Sequence, residues 1–160
     1  MNSTDDFGVI KDRVVAELMK AETDDGRVKD IIGRMDKDGK FKDINYDDLS
    51  RTAGFPQRRH VSDLVHLARA YQCKSSEFFE SSELEDIINV GYKYWVEHDF
   101  FGDNWHNNQI STPTCLVELM LLAGDQLPED LVEKGQPIIG RAHMEASGAR
   151  PSGDRVVIAG

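Results

Sequence analysis

Residues 112–123 read TPTCLVELMLLA, from Thr112 to Ala123, and this stretch decides the fold class. Glu118 is the only charged residue among Leu116, Val117, Leu119, Met120, Leu121, Leu122 and Ala123. A helix built on this run is apolar nearly all round and has to be wrapped by neighbours. Pro113 suits the first helical position, with Thr112 before it as the expected N-cap. Working outward, the neighbours are amphipathic. From Asp5 to Glu22, Phe7, Ile10, Val14 and Leu18 recur at helical spacing. A short segment follows with Val28, Ile31, Ile32 and Met35, and a third helix after Pro56 carries Val61, Leu64, Val65, Ala68 and Tyr71. Ser82 and Glu85 have capping-box spacing ahead of Leu84, Ile87, Ile88, Gly91 and Trp95. Pro128 starts a last helix that Pro137 kinks or divides. No strand-like alternation occurs, so the expected class is all-α, with layered helical hairpins in an inner and an outer ring. No period near 34 residues points to tetratricopeptide repeats.

With 160 residues, the chain is long enough for one domain with a real core. A formal net charge of −10 argues against nucleic acid and anionic membranes as partners. Screening confines surface charge effects to about 8–10 Å, so a local basic cleft can still coexist with an acidic exterior. The local clusters are Arg58, Arg59 and His60; Arg141 and His143; and Arg150 and Arg155. No apolar run approaches a membrane span, and MNSTDDF has neither the basic nor the apolar region of a signal peptide. Cys73 and Cys115 make no metal or redox motif.

DKDGKFKDINY (Asp36–Tyr46) breaks the helical pattern as a turn and short extended piece. It imitates an EF-hand, but Arg34 at the first ligand position and Asn45 at the last defeat the calcium reading in favour of an Asp-Gly turn. No HExxH pattern, GxSxG or P-loop is present, so no metal and no cofactor are expected. His60 shares a helical face with Leu64, Leu67 and Tyr71, as a hydrogen-bonded core or rim histidine would. NWHNNQISTPT, Asn104 to Thr114, is the candidate site: a tryptophan, a histidine and side-chain amides beside a helix start. A flat aromatic next to amides suits the face of a sugar ring. The competing reading is a Trp105 that plugs the core and amides that cap turns.

Four ordered segments carry a resemblance. Asp38–Tyr46 is similar to Asp-Gly-Ser-Trp-Lys-Asp-Val-x-Tyr; His60–Tyr71 to a helix that begins with His and ends in Ala-Tyr; Lys93-Tyr94-Trp95 to a Lys-Tyr-Trp; and NWHNNQISTP to Asn-Trp-Trp-His-Asn-Glu-Ile-Ala-Thr-Pro. Together they resemble the N-terminal part of polysaccharide lyase family eight, the chondroitin, hyaluronate and xanthan lyases. The resemblance implies that residues 1–160 are the N-terminal, incomplete part of an α/α toroid of helical hairpins, with the rest of the toroid and β-sandwich domains absent from this chain. It also implies a secreted or periplasmic parent enzyme that cleaves a uronic-acid-containing, glycosaminoglycan-like polysaccharide by β-elimination. In that reaction the carboxylate is neutralised, a base takes the C5 proton and the C4 oxygen leaves with a proton. The Tyr and His that do this lie downstream in the family, so no catalytic residue is expected here.

The substrate-binding residues implied are Asn104, Trp105, His106, Asn107, Gln109 and Arg150. Trp105 would stack on a sugar, His106, Asn107 and Gln109 would line the cleft, and Arg150 would meet a carboxylate or sulfate. Two departures stand out. His106 replaces the second of the family's paired tryptophans, and Arg150 falls where the family's Thr-Gly-Ala-Asn segment has its asparagine. The partners implied are an acidic polysaccharide or oligosaccharide and the remainder of the parent enzyme. DRVVIAG at the C-terminus has the pattern of a helix just begun, as at the front of a longer protein. The rivals are a non-catalytic α-helical carbohydrate-binding domain and a helical interaction domain.

Overall fold

The computed structural model describes residues 3–143 and 145. Six α-helices follow in order: α1 Ser3–Leu18, α2 Asp25–Arg34, α3 Gly54–Gln72, α4 Ser82–His98, α5 Thr112–Ala123 and α6 Glu129–Ile139. No strand occurs among the described residues; Met35 and Phe41 make an isolated antiparallel bridge across the Asp-Gly turn. In that turn Asp36 Oδ1 accepts the backbone N–H groups of Asp38 and Lys40 at 3.0 and 2.9 Å. Gly39 takes φ +85°, and a Cβ there would lie 2.3 Å from the Val90 carbonyl oxygen. Glycine is required at this close approach to α4.

The centre of the molecule is α3, not α5. The packing is α3 against α2, α4 and α5, with α5 also against α1 and α6. Along α3, Val61, Leu64, Leu67, Ala68 and Ala70 are fully buried. Leu116, Leu119 and Leu122 of α5 are fully buried too, but Val117 on the opposite face is 39 % exposed. That face, with Leu121, lines an open apolar groove completed by Val14 and Leu18 of α1, Pro113 of α5 and Ile139 of α6. The expectation of a fully wrapped α5 is thus met on one side only.

Several helix ends depart from expectation. The first helix stops at Leu18 rather than Glu22. Asp24, which went unnoticed, caps α2 by accepting from the N–H groups of Gly26 and Arg27. The cap of α4 is Ser81, whose Oγ accepts from Leu84 N–H at 3.3 Å, one residue earlier than the capping-box pattern places it. Thr112 does not cap α5. Its backbone is already helical because a π-helical turn, Asn107–Ser111, runs straight into it. Within that turn Thr112 N–H reaches back to the Asn107 carbonyl, one residue further than in an α-helix. Pro113, next in line, has no N–H to bond an upstream carbonyl, so the widened turn precedes the position where α-bonding would fail anyway. Pro137 does not divide α6; it sits in its last turn and the helix ends at Ile139.

Two polar systems lock α3 in place. Asp63, its side chain 2 % exposed, holds Arg34 Nη2 at 2.7 Å and Arg27 Nη2 at 3.3 Å, which ties α2 to α3. Arg34 continues to Asp30 and Asp43, and Asp43 also meets Arg59. On the other side of α3, fully buried His60 donates from Nε2 to the Gly91 carbonyl at 2.9 Å and accepts at Nδ1 from Tyr46 Oη at 2.7 Å. Tyr46 Oη in turn accepts from Phe41 N–H at 3.2 Å. Burial pulls the His60 pKa down to about 4, so the ring is neutral and can both donate and accept.

Candidate functional site

The Asn-rich segment is held by its own amides. Asn104 Oδ1 accepts from Asn107 N–H at 3.2 Å, which makes Asn104 the cap of the helical run that starts at Trp105. Its Nδ2 donates to the Arg51 carbonyl at 3.0 Å. Asn107 Nδ2 donates to the Gly54 carbonyl, while its buried Oδ1 has no hydrogen-bond partner among the described residues. Asn108 grips the Gly102 peptide from both sides, Nδ2 to the carbonyl at 2.7 Å and Oδ1 from the N–H at 3.3 Å. These three buried asparagines staple the 51–54 and 102–103 segments to one helix start. Sequence reading singled out Asn104 and Asn107 but missed Asn108, which nothing in local composition sets apart from its neighbour.

Between the staples lie two rings outside the buried core cluster. Trp105 is half-buried and His106 exposed, with ring centroids 5.6 Å apart and planes at 70°. Trp95, by contrast, is 2 % exposed and packs on His60 and Phe100, so the role of core plug falls to Trp95. Gln109 is half-buried. His106 Nδ1 lies 3.0 Å from Ser111 Oγ, and Arg58 Nη1 donates to that same oxygen at 3.4 Å. Ser111 Oγ is thus shared between the Arg58 guanidinium and the His106 ring. Exposed aromatics flank the site: Phe55, over which the Arg58 guanidinium lies at 5.9 Å, and Phe101, over which Arg141 lies at 4.9 Å. Neither was anticipated, because each stands alone outside a helical stripe.

The basic clusters come apart. Arg59 is paired with Asp43, His60 is in the core and Arg141 is paired with Asp99. Arg150 and Arg155 lie outside the described residues, as does the Ser147–Arg150 segment. Among the described residues no group of three or more His, Cys, Asp or Glu side chains could hold a metal ion, and no helix is long and apolar enough to cross a membrane.

The family model for the N-terminal alpha-helical domain of polysaccharide lyase family 8 matches residues 11–148. The chain belongs to polysaccharide lyase family 8. Chondroitinase-AC of Pedobacter heparinus is 31% identical to it over 130 residues, which are 79% of this chain and 18% of that protein. A solved structure of chondroitinase AC lyase, from a study of enzyme–oligosaccharide complexes, superposes with a TM-score of 0.81 at 28% identity. The match covers 93% of this chain and 23% of that one. The family 8 chain described here is thus an all-α, chondroitinase AC-like N-terminal domain that spans under a quarter of its relatives' length. Its four motif segments divide by role. Phe41, Tyr46, His60, Tyr94 and Trp95, from the first three, meet in one aromatic cluster with ring centroids 5.0–5.9 Å apart. The fourth carries the half-buried Trp105 and the exposed His106.

Proposed function

We propose that this domain supplies part of the substrate cleft of a polysaccharide lyase that cleaves a uronic-acid-containing glycosaminoglycan by β-elimination. The observation that carries this reading is the Trp105–His106 pair, held at the surface by three buried asparagine staples although the core already has its tryptophan in Trp95. Trp105 stacks on a sugar ring, and His106 hydrogen-bonds to a hydroxyl or acidic group. Gln109 borders the same cleft, Asn104 and Asn107 hold its wall from the buried side, and Arg150 meets a carboxylate or sulfate. The domain works with the remainder of the parent enzyme, which supplies the base and acid of the elimination, in a secreted or periplasmic setting and without a metal or cofactor. On its own it binds acidic oligosaccharide without cleaving it.

The test uses one protein sample and its Trp105→Ala variant. Loss of a stacking contact worth about 1 kcal/mol weakens affinity for chondroitin oligosaccharides roughly tenfold, with little change in melting temperature. A variant that melts several degrees lower yet keeps full affinity below its melting point refutes the stacking role. Absorbance of an unsaturated uronide, followed in the same samples, stays flat; turnover by this chain alone would move catalysis into the described residues.

A further inference from the structure

Arg58 stands apart from the four ion-paired arginines. Arg27 and Arg34 share Asp63, Arg59 takes Asp43 and Arg141 takes Asp99. Arg58 has no carboxylate within ion-pair distance among the described residues, in a chain of net charge −10. It is nevertheless half-buried and oriented. Nη1 donates to Ser111 Oγ at 3.4 Å, and the guanidinium carbon lies 5.9 Å from the centroid of the Phe55 ring. Ser111 ties it to His106 at 3.0 Å, and His106 touches Trp105. A guanidinium offers five N–H donors in a planar fork, and one hydroxyl and one ring face leave most of them unused. A fixed fork without a counter-charge, beside an aromatic face, is the arrangement that recognises a carboxylate or a sulfate bidentately.

We propose that Arg58 is the anion-recognition residue of the Trp105 face: it takes the carboxylate or sulfate ester of an acidic sugar whose ring lies on Trp105. The placement of a sugar there rests on the function proposed above; the anion subsite itself does not. Ser111 and Phe55 are positioning residues, since they act by aiming the fork.

Two measurements separate the claims. In the first, the Arg58 Nε–Hε resonance of the folded protein is followed by NMR while sodium sulfate or sodium glucuronate is added, with sodium chloride at matched ionic strength as control. A saturable shift of Arg58 with sulfate, glucuronate or both, exceeding the chloride control, is expected; which anion moves it identifies the group recognised. No shift beyond chloride overturns the subsite. In the second, wild type, Arg58→Gln and Arg58→Lys are compared on chondroitin tetrasaccharide, its sulfated form and a carboxyl-reduced, unsulfated form. Arg58→Gln is expected to weaken binding tenfold or more on the charged forms and less than twofold on the neutral one. Arg58→Lys is expected to recover only part of the loss, because it restores charge without the fork. Equal losses on charged and neutral forms overturn the proposal. If sulfate or glucuronate shifts Arg58 but no oligosaccharide binds wild type, the anion subsite stands and the carbohydrate function falls.

Discussion

Taking the protein from about pH 7.5 to about pH 4.5 is expected to remove about 2.5 kcal/mol of stability through His60 alone. The ring is fully buried and neutral, and its pKa of about 4 in the fold compares with the ordinary 6.5 of an unfolded chain. Above 6.5 both states are neutral and the fold keeps its full stability. As the pH falls through this window the unfolded chain takes up a proton that the folded chain refuses, so stability declines until about pH 4 and then levels. Burial enforces the refusal, and Tyr46 Oη adds to it by needing an acceptor at Nδ1, while the Gly91 carbonyl works the other way and only partly offsets the burial. His66 is shifted the same way, with its own burial as the first cause, so the comparison must isolate one ring. Urea denaturation of wild type and His60→Gln at four pH values between 7.5 and 4.5 does so. The variant can still donate to Gly91, and is expected to start about 1–3 kcal/mol lower from lost packing and hydrogen bonding. Its acid slope should be shallower by up to one proton. If both proteins lose stability in parallel, His60 is not the group that resists protonation and the account of the buried network is wrong.

Asp63→Ala is expected to cost about 2 kcal/mol, below the 3–5 of a fully buried pair, because Arg27 is half-exposed and Arg34 keeps Asp30 and Asp43. Thermal melts should show a drop of about 5–8 °C that persists at high salt, since the carboxylate is shielded from counterions; a loss that salt erases would make the bridge a surface pair. Gly39→Ala should destabilise by about 3 kcal/mol or more, from positive φ and collision with the Val90 carbonyl. Gly33→Ala, in α2 with open space around it, should stabilise by about 0.5–1 kcal/mol in the same assay. Similar effects for the two glycines would refute the close approach of the Asp-Gly turn to α4.

All six helices were legible in the sequence, and the stripes of Val61–Tyr71 and Leu84–Trp95 are buried as their periodicity implies, but the α1 stripe is not, since Phe7, Ile10 and Val14 are exposed. The rank order of burial was not. A run that is apolar all round suggested α5 as the centre, yet α3, with His60, Asp63 and His66 among its buried residues, holds that place. Polar residues whose partners are distant in sequence, such as Tyr46 for His60 and Arg34 for Asp63, disguise a core helix as a surface one. The caps failed for a similar reason. Thr112-Pro113 has the chemistry of a helix start, but Asn104 had already started the helix with a bond to Asn107 and a distant anchor at Arg51. Arg58 was submerged in a cluster whose other members, Arg59 and His60, are paired and buried.

The π-helical turn sets a phase. About three α-helical turns separate Trp105 from Leu116, so in an unbroken α-helix the two side chains would sit almost in line. Leu116 has no exposed surface, and Trp105 would be driven toward the same interior. The turn at Asn107–Ser111 absorbs one extra residue, which rotates everything before it by about 100° relative to everything after it. One helix can therefore face inward along its C-terminal half and outward at its N-terminal end. The spacing between Asn104 and Pro113 consequently matters as much as the identities within it, since removing a single residue would swing the aromatic edge about a quarter of a turn without touching a ring.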